Sequence, residues 1–189
     1  MAGLWYSCIV IYTLMCKHAD NTQQIIDSLN IELYPRLQQQ LDTVLRSLPH
    51  VEGPYQLAIA EVFADFRQTF LSLAGYENRL VFPSVLRVFN HKKEPKGTPM
   101  PNVAELQNLT KLKAQKLLVH AVQLERYADA MEHSEATEAL QLLCHTVLTD
   151  FVQRRQDWNN MIDERMRSCN CFLQFQQLLT PTTHRHASL

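Results

Sequence analysis

Apolar residues return along this chain at helical spacing, and the turns between the repeats are sparse. Ile26, Leu29, Leu33, Leu37, Leu41, Val44 and Leu48 form one stripe. Ile59, Val62, Phe63, Phe66, Phe70, Leu73 and Leu80 form a second. Leu106, Leu109, Leu112, Leu117, His120, Leu124 and Tyr127 or Ala128 form a third, and Leu140, Leu143, Val147, Phe151, Arg154, Trp158, Met161 and Ile162 a fourth. Recurrence at three and four residues marks a helix with one buried face. The pattern therefore predicts four long helices, preceded by a short apolar helix from Leu4 to His18.

The punctuation agrees with this division. Asp20 or Asn21 is placed to cap the segment that runs to about Leu48, and Pro54 suits the first turn of the next helix. The polar, proline-rich run from His91 to Asn102 reads as the longest loop. A helix should follow from Pro101 or Asn102, and another from about Glu135. Pro35 and Pro83 fall inside helical stripes. Each removes a backbone donor and crowds the preceding turn, so Pro35 should kink or break its helix, and Pro83 should bend the helix that Val85, Leu86, Val88 and Phe89 continue. Residues 180–189 read as a disordered tail and residues 1–179 as a single domain.

Composition narrows the class. Four glycines in 189 residues argue against a turn-rich β fold, and 46% hydrophobic with 20% charged residues is an ordinary globular balance. An all-α, up-and-down four-helix bundle with an extra N-terminal helix follows. The net charge of −1 gives no general attraction to nucleic acid, and the local basic face of Lys111, Lys113 and Lys116 reads as solvated. Five scattered cysteines do not form a disulfide framework and favour a cytoplasmic location. The apolar run Leu4 to Cys16 is shorter than the roughly 18 to 20 residues of a membrane span, so no membrane association is expected.

The fourth and second stripes carry charges where leucine would be expected. Glu77 shares a face with Leu73 and Leu80, and Arg154 occupies an inward row between Phe151 and Trp158. A buried carboxylate needs a counter-charge, a metal or hydrogen-bond donors. The alternative for Glu77 is rotation toward solvent at a bend near Pro83.

Tyr76-Glu77-Asn78-Arg79-Leu80-Val81-Phe82-Pro83 resembles the second-helix signature of hemerythrin-like proteins, including the di-iron iron–sulfur cluster repair group. Ile11 to His18 looks like the segment that carries the family's first histidine, His120 matches its third-helix histidine, and Asp150 to Ile162 its fourth-helix ligand segment. The resemblance implies a bundle that senses oxygen, nitric oxide or redox state through non-haem iron. It also implies that three ligand positions are lost, since Leu73, Arg154 and Trp158 stand where the family has histidine, histidine and glutamate. None of these can coordinate iron. A Glu77–Arg154 ion pair is then expected in place of the metal, with Leu73 and Trp158 filling the remaining volume.

The function expected on this basis is a metal-free, non-enzymatic regulatory or protein-interaction bundle without a cofactor, acting on a protein partner or through self-association. One alternative keeps iron, with His18, Glu77 and His120 as ligands and His145 or Glu125 completing the shell. Another is an oligomeric helical scaffold in which Leu4 to Cys16 packs between subunits. Blander readings stand beside these. His120 fits a core histidine bonded to a carbonyl, His18 a helix-flanking residue, and Trp5 and Trp158 packing residues. Adjacent Cys144 and His145 diverge by about 100° on a helix and make no nucleophile–base pair.

Overall fold

A computed structural model describes residues 21–51, 53–89 and 102–179, with side chains as far as Arg167. Among the described residues the chain is all-helical, with four long helices and no strand. They are α1 (residues 21–47), α2 (56–89), α3 (Val103–Asp129) and α4 (135–179). The expected helix from Leu4 to His18, the loop from His91 to Pro101 and the tail from Thr180 lie outside the described residues, as does His18.

The helix ends follow from local chemistry. The Asn102 side chain accepts a hydrogen bond from the Glu105 backbone N–H at 3.2 Å, which caps α3. Ser134 and Thr137 satisfy each other's backbone donors and start α4 with a capping box. Between α1 and α2, a short 3₁₀ turn, Leu48–His50, leads to the buried Val51 and then to Gly53, whose φ of 127° favours glycine.

Pro35 and Pro83 do not break their helices. Each is preceded by a π-helical turn, Ser28–Leu33 in α1 and Glu77–Val81 in α2. Tyr34 N–H donates to the carbonyl of Leu29, and Phe82 N–H to that of Glu77. A proline ring normally collides with the carbonyl one turn back. Here that carbonyl, of Ile31 or Arg79, belongs to the wider turn. The helix absorbs the proline by taking in an extra residue. A third π turn, Val147–Phe151 in α4, has no proline. Thr146, just before it, and Thr149, within it, donate their hydroxyls to the carbonyls of Leu142 and His145 at 2.9 and 2.7 Å and compete with the helical ladder.

One apolar core joins the four helices. α2 packs on α3, α3 on the first half of α4, and α4 on α1. The Tyr34 ring meets Phe70 of α2 edge-on at 5.7 Å, which joins α1 to α2. The α1, α2 and α4 stripes are buried largely as their patterns predict, but Leu80, expected on the inner face with Glu77, is 50% exposed because the π turn rotates it outward. In α3 the buried row is Val103, Gln107, Thr110, Ala114, Leu117, Ala121, Leu124 and Ala128, with His120 at its edge. Leu109 and Leu112, expected inside, face outward, and Leu112 is 63% exposed. Thr110, Ala114 and Ala121 share the buried row with Leu117 and Leu124, and the face turned outward is the one that carries Leu109 and Leu112.

Candidate functional site

A charge lies at the centre of this core. Glu77, the first residue of the π turn in α2, has 0% exposure. One carboxylate oxygen, Oε2, accepts a hydrogen bond from the Tyr34 hydroxyl of α1. The other, Oε1, accepts one from Arg155 Nη1 of α4 and makes a salt bridge with it. Three helices thus converge on one carboxylate, and both of its oxygens are engaged. Phe151 lies against the guanidinium with its ring centroid 5.9 Å from Arg155 Cζ.

The Glu77–Arg154 pair expected from the sequence does not form. Arg154 is half-buried and donates through Nη1 to Glu32 Oε2 at 2.7 Å and to the Ser28 carbonyl at 2.5 Å. The counter-ion is its neighbour, Arg155, which is 5% exposed. The shift of one position has a local cause. Across the π turn in α4 the buried residues Leu143, Val147, Phe151 and Arg155 recur every four residues, where an α-helix alternates three and four. The inward row therefore reaches Arg155, and Trp158 follows three residues on.

Electrostatics match the geometry. Burial and the adjacent Glu77 charge hold the Tyr34 phenol well above its ordinary pKa, so it stays a neutral donor. Burial works against the Arg155 charge, but Glu77 outweighs that effect and raises the Arg155 pKa further. The cluster is a carboxylate that accepts from a neutral hydroxyl on one oxygen and from a guanidinium on the other.

Leu73 and Trp158 are fully buried, and the indole meets Phe82 edge-on at 5.2 Å. His120 lies at the core boundary, and its Nδ1 has no hydrogen-bond partner. Burial, and then the Lys116 charge, lower the His120 pKa. Cys144 is buried as a free thiol pushed up to about 12 by burial and the Glu125 and Asp129 charges, while His145 faces outward.

A di-iron centre does not fit these residues. Leucine, arginine and indole occupy three of the positions where the resemblance would place ligands, and both Glu77 oxygens already bind side chains. Among the described residues, no three His, Cys, Asp or Glu side chains are grouped to hold a metal, and His120, His145 and Glu125 are not gathered around Glu77.

Sequence reasoning did not assign Tyr34 to the site. Its signal was a hydroxyl-bearing aromatic next to Leu33 of the α1 stripe, where a buried phenol requires an acceptor. No protein-family model matches the chain, and no curated protein or solved structure shows significant similarity to it. Among the described residues no helix is long and apolar enough to cross a membrane.

Proposed function

We propose that this chain is a metal-free, non-enzymatic relative of hemerythrin-like up-and-down bundles, serving as a cytoplasmic regulatory or protein-interaction domain. The observation that carries the reading is the Glu77 carboxylate, enclosed and held through both oxygens by Tyr34 and Arg155. In this account the guanidinium supplies the charge that iron supplies elsewhere, and Leu73 and Trp158 fill the volume that ligands would need. The buried thiol of Cys144 suits a reducing compartment. An interaction role draws support from Leu109, Leu112 and Val119, which lie exposed on one side of α3.

The test is the metal content of protein produced in iron-supplemented cells. The reading expects far less than one iron per chain and no visible absorption band that depends on Glu77. Stoichiometric iron, lost in Glu77→Ala, would replace it with the iron-binding alternative. For the interaction role, sedimentation of wild type and the Leu112→Lys, Val119→Lys double variant gives the answer on self-association. A wild-type dimer that the variant dissociates identifies a second copy as the partner, while monomers in both rule out self-association.

A further inference from the structure

Among the described residues three π turns interrupt the helices, and each leads to a member of the buried cluster. Tyr34 follows the first, Glu77 opens the second, and Arg155 lies four residues beyond Phe151, which closes the third. A single π turn inside an α-helix is uncommon and recurs at functional sites. The first two are pinned by sequence. Pro35 and Pro83 stand two residues beyond them, where a regular α-helix would drive each ring into a carbonyl one turn back.

The third turn has the same backbone and no pin. Val152 N–H donates to the carbonyl of Val147, as Tyr34 does to that of Leu29 and Phe82 to that of Glu77. The φ and ψ of Val152, −58° and −49°, match the −66° and −41° of Tyr34 and the −59° and −47° of Phe82. The residue in the proline's place is the exposed Gln153.

This turn decides which arginine faces Glu77. With it in place, the inward row is Val147, Phe151, Arg155, Trp158. With the extra residue carried past Arg154, the row becomes Val147, Phe151, Arg154, Trp158, a spacing that an α-helix supports. Both rows begin and end on the same residues, and each offers the carboxylate a guanidinium. The observed arrangement carries a cost, because Arg155 leaves Nε and Nη2 buried without a partner. Arg154 meanwhile holds the Ser28 carbonyl and Glu32, both in the π turn of α1.

We propose that α4 is a two-state element whose π turn migrates from Val147–Phe151 to the stretch between Arg154 and Trp158, exchanging Arg155 for Arg154 at Glu77. About one molecule in a hundred occupies the second state. Migration withdraws Arg154 from Ser28 and Glu32 and turns Arg155 outward, so the outer hold of α4 on α1 is released while the central charge stays paired. A partner that engages Glu32 favours the second state, which gives a regulatory bundle two conformations to choose between. The inference rests on the backbone of α4 and stands apart from the hemerythrin likeness and the iron content.

Relaxation dispersion of the backbone amides from Phe151 to Trp158 in ¹⁵N-labelled protein reads such a minor state, since helix register shifts fall in the microsecond to millisecond range. Wild type should show exchange at these amides. Glu32→Ala removes the exposed outer partner of Arg154, so the minor population should rise about two- to fivefold. Gln153→Pro supplies the missing ring and should fold with the exchange abolished, while Gln153→Ala retains it. In Arg155→Met the migrated state becomes the major one, and the scalar coupling across the Val152 hydrogen bond should pass from the Val147 to the Leu148 carbonyl. A wild type without exchange, a population unmoved by Glu32→Ala, a Gln153→Pro chain that exchanges or does not fold, or equal loss of exchange in Gln153→Ala would each overturn the proposal. So would a folded Arg155→Met protein that keeps the coupling to Val147, and if that variant does not fold the dispersion results decide.

Discussion

At the scale of single residues, the choice between neighbouring arginines decides how the molecule is held together. Arg155 faces a desolvated carboxylate, and removing one member of such a pair strands the other. Arg155→Ala is expected to cost about 3 to 5 kcal/mol in urea unfolding. Arg154, paired with the exposed Glu32, should cost about 1 kcal/mol or less when replaced by alanine. Equal losses would contradict the observed pairing. Tyr34 adds a pH dependence whose sign is fixed. Its folded pKa is raised, so its contribution is complete below the unfolded phenol pKa of about 10 and is lost as the pH rises beyond it. Wild type should therefore lose stability more steeply than Tyr34→Phe between about pH 9 and 11, measured by unfolding at each pH. Near neutral pH wild type should be the more stable of the two, because the variant lacks the hydroxyl that satisfies Glu77 Oε2. The inward turn of Glu77 was legible from the stripe alone. Its partner was not, because residues three and four beyond Phe151 both fall on a helix's inner face and only backbone geometry separates them.

At the scale of the element, periodicity located all four described helices and failed where it assumed uniform geometry. A stripe read at 3.6 residues per turn has no place for a π turn. The adjacent buried pairs Leu33–Tyr34 and Val81–Phe82 were its trace, since two neighbours share a buried face where an extra residue enters. A kink or break was expected at Pro35 and a bend at Pro83 for the same reason, although each sits just beyond the turn that accommodates it. In α3 the error was different in kind. Leucine marked the expected core, yet Thr110, Ala114 and Ala121 form the contact row and Leu112 lies outside. Truncation separates the two faces. Leu117→Ala, at a fully buried position, should destabilise by about 2 to 5 kcal/mol. Leu112→Ala should stay within about 0.5 kcal/mol of wild type by thermal unfolding. A large effect at Leu112 would mean that its face is covered in solution.

At the scale of the whole molecule, the sequence conveyed the helical class and the presence of a buried charge, because both follow from residue type and spacing. The convergence of α1, α2 and α4 on that charge was hidden, since it depends on three separate departures from regular helix that bring Tyr34, Glu77 and Arg155 to one point. Replacing the cluster by apolar residues of similar size, as in Tyr34→Phe, Glu77→Leu, Arg155→Met, should leave stability unchanged or raise it by about 1 to 4 kcal/mol in urea unfolding. A strong loss would show that the polar centre cannot be exchanged for packing alone.

The engaged carboxylate has a consequence for how the molecule breathes. Should α2 or α4 drift away, an ion is left stranded in the interior, and should α1 drift away, one carboxylate oxygen loses its hydroxyl donor, so partial opening is penalised at every exit. Backbone amides near Leu37, Leu73 and Trp158 should therefore exchange with deuterium as a single cooperative unit, and only when the fold opens as a whole.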